Sequence, residues 1–226
     1  VLKKGNKVID MGCGIGATVR FGSIHYPSVK FTGFTITPWQ IKKAEELIKA
    51  AKLTDVEVKY GDYNKLPIKS GSIDAVYGLE SICHAEETSK KGPLKAYRIL
   101  KKGGRFTMVD GFIKKPEQEL PTLTYKMYRT VCENWALPSF PNINDVSSEL
   151  KELGFKGVSI REISWKIAPS AVHAPFVSLF FLAKKLINGE KLKRQNWNNL
   201  KACFTIFFLG LCRKSIGYYE ITAKKD

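Results

Sequence analysis

Apolar and polar positions alternate along the first half of the chain in short runs that are typical of an α/β protein. Five runs rich in apolar and β-branched residues predict strands at residues 7–11, 29–36, 56–60, 73–79 and 105–110. Between them, apolar residues recur at helical spacing over residues 38–51 and 88–100. Strands that alternate with helices indicate βαβ units, a parallel sheet and helices on both of its faces.

The pattern changes after residue 113. Residues 117–135 and 144–153 predict helices, and residues 158–167 predict a sixth strand. A long insertion at residues 169–214 precedes a last predicted strand at residues 216–222. We therefore expect a Rossmann-like, doubly wound, mostly parallel seven-stranded sheet, with a helical cap inserted before the last strand.

A glycine-rich turn lies between the first predicted strand and a helix. Its sequence is Asp10-Met11-Gly12-Cys13-Gly14-Ile15-Gly16. Glycines let the backbone approach a ligand closely, and amides at a helix start can meet a carboxylate. The third glycine comes too early for the dinucleotide fingerprint, and no acidic residue ends the second strand. A dinucleotide is therefore disfavoured, while another ligand or a purely structural turn stays open.

Several stretches in the same order resemble class I S-adenosylmethionine-dependent methyltransferases. The glycine turn resembles their first motif, residues 66–76 resemble their "LPF…FDAV" stretch, and residues 98–105 resemble "RVLKPGGR". The resemblance covers about residues 5–113, half of the chain. It implies S-adenosyl-L-methionine as cofactor and S-adenosyl-L-homocysteine as product. It also implies cofactor contacts from Asp10, Gly12, Cys13, Gly14, Gly16, Asp62, Tyr63 and Leu79.

The same resemblance suggests how the chain is organised. We expect residues 1–226 to form a single methyltransferase domain, with a cofactor-binding half at residues 1–113 and a substrate-side half at residues 114–226. Because the chain begins at Val1 without Met, we also expect a missing amino-terminal segment.

The stretch Gly33–Gln40 resembles the "GITLSPVQ" stretch of methyltransferases that act on small lipids. In those enzymes, hydroxyl and amide side chains replace the usual acid at the ribose, so the resemblance implies that Thr35 and Gln40 contact the cofactor. A second interpretation is local. Thr37 would begin the helix, Pro38 would take its first position, and Gln40 would complete a capping box.

The stretch after the fourth strand, Tyr77–Glu86, resembles the "YAIEATCHAP" stretch of sterol C-methyltransferases. This resemblance implies a hydrophobic acceptor, methylation at carbon, and Glu80 and His84 as catalytic residues. A carboxylate and aromatic faces would stabilise a carbocation, and a base would then remove a proton. With an oxygen or nitrogen acceptor, His84 would instead serve as general base. Alternatively, both side chains only shape the loop. The sterol enzymes' amino-terminal aromatic motif and carboxyl-terminal region have no counterpart here.

The second half of the chain offers aromatic residues and a basic insertion. Tyr128, Trp135 and Trp165 are candidates to line a hydrophobic substrate, although such a stripe also suits an ordinary core. Residues 169–226 hold ten basic and three acidic residues, within a net charge of +16. The uncharged stretches 167–183 and 202–212 have basic flanks. They favour lid helices with peripheral contact to an anionic membrane over a membrane span.

The charge and the predicted fold would also suit two other classes of protein. The positive charge would suit a nucleic-acid methyltransferase, but the fourth strand ends in Gly78-Leu79-Glu80-Ser81 and lacks the Pro-Pro turn that holds a flipped base. A non-catalytic binding protein on the same fold is the other alternative.

The five cysteines form no CxxC pair and no metal spacing, so we expect no metal site and an intracellular protein, cytoplasmic or peripheral on a membrane. The oligomeric state is not predicted.

Overall fold

A computed structural model describes residues 2–62, 65–81, 83 and 91–226 of the chain. Its strands are β1 (Lys7–Met11), β2 (Lys30–Thr35), β3 (Val56–Tyr60), β4 (Ile73–Leu79), β5 (Leu100–Ile113), β6 (Phe155–Glu162) and β7 (Ile216–Lys225). Its α-helices are α1 (Ala17–His25), α2 (Pro38–Ala50), α3 (Lys91–Ile99), α4 (Thr122–Trp135), α5 (Ile143–Glu152), α6 (Ser164–Ile187) and α7 (Arg194–Leu209). A short 3₁₀ helix at Glu117–Glu119 precedes α4.

The seven strands form one sheet in the order β3-β2-β1-β4-β5-β7-β6. The pairs β1–β2, β2–β3, β1–β4 and β4–β5 are all parallel. The predicted Rossmann-like, mostly parallel seven-stranded sheet is therefore confirmed. Because the order reverses direction beside β1, the carboxyl ends of β1 and β4 flank the topological switch point, where α/β folds bind ligands.

The prediction for the sixth strand was wrong at both ends. The predicted strand covered residues 158–167, whereas β6 covers Phe155–Glu162 and helix α6 already begins at Ser164. The alternation of Ile163, Trp165 and Ile167 imitates a strand, but it continues into a long apolar helix, and short apolar runs do not distinguish the two structures. Helix α6 also runs through Pro169 and Pro175.

The chain divides into two compact units, and the predicted division into a cofactor-binding half and a substrate-side half at residue 113 stays a prediction. Unit 1 contains residues 1–110, 145–160 and 220–226, and unit 2 contains residues 111–144 and 161–219. The first break lies close to the predicted one. Parts of the carboxyl-terminal half nevertheless belong to unit 1. They include most of α5, much of β6 and the end of β7, and these two strands complete the sheet.

The core of unit 1 positions the glycine turn. Val8 on β1, Phe31 on β2 and Val58 on β3 are buried in one cluster with Val19 of α1 and Ala44 of α2. Burial of such side chains stabilises by roughly 1.5–3 kcal/mol each. The cluster holds α1 and α2 against the strands they follow, and this fixes the two loops from which candidate ligand-binding residues project.

Unit 2 has its own core around α4. Tyr128, Val131 and Cys132 are fully buried on one face of this helix. Helix α7 packs against α4, and α6 packs against α7. Ala202 and Leu209 of α7 are also fully buried. The predicted helical segment before the last strand is thus present as the pair α6 and α7.

Candidate active site

The glycine turn is built on left-handed backbone conformations. Gly12, Gly14 and Gly16 have φ values of 95°, 54° and 72°, a region that glycine enters without steric cost. The amides of Gly12 and Cys13 both donate to the carbonyl of Phe34, at 3.1 and 2.9 Å. Because these two amides are engaged by β2, the amides that follow, at the start of α1, are the candidates for meeting a ligand.

Gly12 also permits a close contact with the loop after β4. A Cβ atom added at Gly12 would lie 2.3 Å from the Cβ of Ser81, which is nearer than real Cβ contacts allow. The buried hydroxyl of Ser81 donates to the carbonyl of Met11. The turn after β1 and the loop after β4 are therefore locked together by one side chain.

A second buried group fixes the same loop. The amide of Cys83 donates to Oδ2 of Asp110 at 3.1 Å, and the Asp110 side chain is buried near the end of β5. Ser81 is therefore held to the turn after β1, and Cys83 is held to the end of β5. A buried carboxylate that accepts a backbone hydrogen bond is a strong anchor for a loop.

Asp10 is the buried acid of the site. It is 3% exposed at the end of β1, and this burial raises its pKa to about 7, an effect that the neighbouring Tyr77 hydroxyl partly offsets. Tyr77 is the register partner of Asp10 on β4. Burial leaves the pKa of this carboxyl near 7, and a cation beside it would favour its charged form. The position therefore suits a ligand with an ammonium group.

Cys13 has a structural role in the turn. Its side chain fills the space that a Cβ at Gly33 would occupy, with the Cys13 Cβ and Sγ both 2.6 Å from that point. Burial, together with the nearby Asp10 carboxyl, raises the pKa of the Cys13 thiol to about 12. The thiol is therefore neutral at physiological pH and is not a nucleophile.

Thr35 and Gln40, the two residues of the small-lipid stretch, are hydrogen-bonded to each other. The Thr35 hydroxyl donates to Oε1 of Gln40 at 2.6 Å, and Thr35 is buried at the end of β2. The alternative of a capping box was wrong, because the Thr37 side chain makes no capping hydrogen bond and the Gln40 carbonyl is taken by Thr35. Pro38 does occupy the first turn of α2, as predicted. Whether the pair contacts a cofactor stays a prediction.

The remaining unit 1 candidates lie at the ends of β3 and β4. Asp62 follows the end of β3 and is half-buried, and Leu79 is the half-buried last residue of β4. Glu80 is exposed and has a φ of 49°, an uncommon conformation for a residue with a side chain. Such strain at a ligand-binding edge is a recognised sign of a functional position. Tyr63 and His84, also predicted, lie outside the described residues.

The three aromatic candidates of unit 2 occupy different environments. Tyr128 is fully buried, and its hydroxyl donates to Oε1 of Glu117 at 2.6 Å and accepts from the Phe140 amide at 3.2 Å. Trp135 is half-buried at the end of α4. Trp165 is 76% exposed on α6. Packing and hydrogen bonding account fully for Tyr128, while a substrate-lining role for any of the three stays a prediction.

Sequence reasoning assigned no role to Tyr77, Ser81 or Asp110, although the first two lie within the stretch compared with sterol methyltransferases. A polar residue inside a parallel strand was the available signal for Tyr77 and Asp110, because such strands are usually apolar throughout. The role of Ser81 depends on the three-dimensional approach of the loop to Gly12, and no spacing in the sequence shows it.

The strand order, the glycine turn after β1 and the polar residues at the carboxyl ends of β1, β2 and β4 together define a protein of the class I methyltransferase type. A family profile described as a methyltransferase domain matches residues 2–173. The chain therefore belongs to this methyltransferase-domain family.

Three similar proteins illustrate the relationship. The 24-methylenesterol C-methyltransferase 3 of Arabidopsis thaliana is 25% identical over 164 residues, which cover 72% of this chain and 45% of that protein. The 2-methyl-6-phytyl-1,4-hydroquinone methyltransferase of Synechocystis is 27% identical over 170 residues, 74% of this chain and 51% of that protein. The chain thus spans about half the length of these curated relatives.

The third is a solved structure, described as a putative sarcosine dimethylglycine methyltransferase from Galdieria sulphuraria. It aligns with all of this chain and 79% of its own, with a TM-score of 0.84 and 18% identity. At this level of identity the likeness establishes the fold.

Proposed function

We propose that this domain transfers a methyl group from S-adenosylmethionine to a carbon atom of a hydrophobic small molecule, of the sterol, prenyl-lipid or related type. The observation that carries the proposal lies in unit 1. There the carboxyl ends of adjacent strands hold a buried acid with a pKa near neutrality, a left-handed glycine turn and a buried hydroxyl–amide pair.

The residues present fit the chemical groups of this cofactor. Asp10 suits its ammonium group because the ionised carboxyl is otherwise destabilised by burial. The helix start after Gly16 suits its carboxylate. Thr35 and Gln40 provide hydroxyl and amide groups for a ribose, and Asp62 provides an acceptor for an adenine amino group. When bound, S-adenosylmethionine supplies an electrophilic methyl group, and the acceptor carbon gains that methyl and loses a proton.

The carbon acceptor is supported by the relatives and by Glu80. The two curated relatives are named for sterol and phytyl-hydroquinone methylation. In our proposal, the Glu80 carboxylate stabilises positive charge that develops on the acceptor, and His84 accepts the departing proton. Glu80 is held in a left-handed conformation at the end of β4, next to the loop that Ser81 and Asp110 anchor. This anchored backbone fixes where the Glu80 side chain starts at the edge of the sheet.

Cofactor binding is the first test. Calorimetric titration of the purified chain with S-adenosylhomocysteine should give saturable one-site binding, and Asp62→Ala should weaken it at least tenfold. Glu45→Ala, on the exposed side of α2, is the matched control and should bind as the unmodified chain does. Failure of the folded chain to bind would contradict the proposal.

Turnover identifies the acceptor. The chain is incubated with S-adenosylmethionine labelled in the methyl group, together with sterol, prenylquinone and RNA fractions in separate reactions. Label in a lipid product whose new methyl is bound to carbon supports the proposal, whereas label in RNA would replace it with a nucleic-acid methyltransferase. Glu80→Gln and His84→Ala should each lower turnover about 100-fold while keeping the affinity for S-adenosylhomocysteine. Glu45→Gln serves as the matched control.

Oxygen or nitrogen methylation is the alternative, and the same reaction separates it by the position of the label. In that case His84→Ala would lower turnover and Glu80→Gln would not, since a general base suffices and no carbocation forms. We also propose that the protein works inside the cell, in the cytoplasm or at a membrane surface where a hydrophobic acceptor is available.

A further inference from the structure

Helix α6 presents an apolar face that its own unit leaves uncovered. Trp165, Phe176, Phe180 and Ile187 recur at helical spacing along one side and are 65–84% exposed. Among the described residues, α6 is the one helix long and apolar enough to cross a membrane, and only 11% of its most apolar window is buried. Exposed apolar faces of this size mark interaction surfaces in soluble proteins.

The opposite side of α6 is a true packing face. Pro175 and Leu182 are buried there, and the Ser178 hydroxyl lies 3.3 Å from Sγ of Cys203 on α7. The helix is thus seated on its neighbour by one side and exposed by the other. Its exposed side is therefore a defined surface and not the result of an undocked helix.

Helix α7 carries an exposed apolar face of its own. Trp197 and Phe208 are 54% and 52% exposed, and with Phe204 they follow the spacing of a single helix face. Lys201 lies on the same face. We call the exposed faces of α6 and α7, with the connecting residues 188–193, the hairpin surface.

The hairpin surface is bordered by positive charge. Residues 164–214 contain a single acidic residue, Glu190, and nine basic residues, namely Lys166, Lys184, Lys185, Lys191, Lys193, Arg194, Lys201, Arg213 and Lys214. Lys184, Lys191 and Lys193 are exposed close to the tip. An apolar face with a basic border matches a membrane that carries anionic lipids.

We propose that the hairpin surface docks the protein in the interface of an anionic lipid bilayer, with α6 and α7 lying along the membrane and not across it. Helix α7 has 16 residues and measures about 24 Å, short of the roughly 30 Å hydrocarbon core. Lys201, within its apolar face, reaches the head groups from the interface but not from the bilayer centre. A second copy of the chain is disfavoured as occupant, because it would bring two basic borders together.

The inference rests on unit 2 alone and does not depend on methyl transfer. Sedimentation of the full chain with vesicles of phosphatidylcholine, with and without 30% phosphatidylserine, tests it. Strong binding is expected with phosphatidylserine, weak binding without it, and less binding as salt is raised. Emission from Trp197 should shift to shorter wavelength on binding, and Trp197→Phe should remove that part of the shift.

Paired variants separate the contribution of the apolar residues from that of the lysines. Phe176→Ser with Phe180→Ser should lower the vesicle partition coefficient at least about tenfold, while the matched pair Phe21→Ser with Ile24→Ser, exposed on α1, should not. Lys184→Glu with Lys191→Glu should lower it about 25-fold or more, whereas Lys3→Glu with Lys4→Glu changes the net charge equally and should have a much smaller effect.

The outcomes are decisive in either direction. Circular dichroism and urea unfolding confirm that each variant is folded. Folded protein that fails to bind anionic vesicles overturns the proposal, as does equal loss of binding in the α6 pair and the α1 pair. A hairpin variant that converts a dimer to a monomer in sedimentation velocity, with vesicle binding unchanged, would assign the surface to a second copy instead.

Discussion

Replacing the buried acid at the end of β1 tests the electrostatics of the site directly. Asp10→Asn keeps the size and most of the hydrogen-bonding capacity of the side chain but removes its charge. In the folded chain burial raises the Asp10 pKa from 3.8 to about 7. Each pKa unit corresponds to about 1.4 kcal/mol. Ionised Asp10 therefore destabilises the folded state by up to roughly 4 kcal/mol.

The sign of the effect follows from proton binding. Between pH 3.8 and about pH 7, folded Asp10 holds its proton while unfolded Asp10 has lost it. The free energy of unfolding then falls as pH rises through that window and changes no further above it. Asp10→Asn lacks this penalty. Its stability advantage over the unmodified chain should grow by roughly 3 kcal/mol from pH 5 to pH 8.

Urea unfolding followed by circular dichroism, repeated at each pH, measures this advantage. Asp74→Asn on β4 is the matched control. Asp74 lies 2.7 Å from the Lys101 ammonium, and its hydrogen bonds to Lys101 and to the Lys7 amide outweigh partial burial and lower its pKa. This substitution should therefore destabilise the chain fully above about pH 4, and the effect should decline as pH falls further through the lowered pKa. An Asp10→Asn advantage that is constant from pH 5 to pH 8 would refute the reasoning.

Three other substitutions test separate parts of the structure. Gly12→Ala should abolish S-adenosylhomocysteine binding, because the new Cβ would lie 2.3 Å from the Ser81 Cβ; calorimetry that finds unchanged affinity would contradict the close contact. Glu80→Gly should raise stability by about 0.5–1 kcal/mol in urea unfolding, because relief of the left-handed backbone, about 1–2 kcal/mol, exceeds the entropic cost of a glycine, about 0.5–1 kcal/mol; a loss of stability would argue against strain there. Tyr128→Phe should lower stability by about 1–3 kcal/mol, since the Glu117 carboxylate and Phe140 amide lose their partner; an unchanged urea midpoint would refute it.

Much of the fold is predictable from the sequence because its strands are apolar and end in recognisable turns. The first four strands and the helix α2 lie close to their predicted positions, and β4 coincides with its prediction at Ile73–Leu79. The fifth strand was predicted too short, because β5 begins at Leu100, five residues before the predicted start at residue 105. The division into units was less predictable. Residues 145–160 and 220–226 return to unit 1 through strand pairing across long sequence separations. Such pairing leaves no local signal that a periodicity could detect.

The candidate site also has parts that the sequence predicts and parts that depend on the three-dimensional structure. The glycine turn is a local feature, so its presence follows from composition and spacing, while its assignment to a cofactor came from the family resemblance. Gln40 had two interpretations from the sequence, a cofactor contact and a capping box at the start of α2. The geometry, with 2.6 Å between the Thr35 hydroxyl and the Gln40 side-chain carbonyl, excludes the capping box, and the cofactor contact stays a prediction. The elevated pKa of Asp10 likewise depends on burial that no neighbouring residue in the sequence shows.

Asp10 and Glu80 together argue that this edge of the sheet is adapted to a ligand at the expense of stability. An asparagine at position 10 and a glycine at position 80 would each suit the unliganded fold better, because one removes a buried charge and the other a strained backbone. Both costs fall at the carboxyl ends of β1 and β4, the neighbouring strands at the switch point. A non-catalytic scaffold has no reason to keep either cost. Stabilising substitutions at both positions that leave cofactor affinity and turnover unchanged would therefore favour a structural role for this edge.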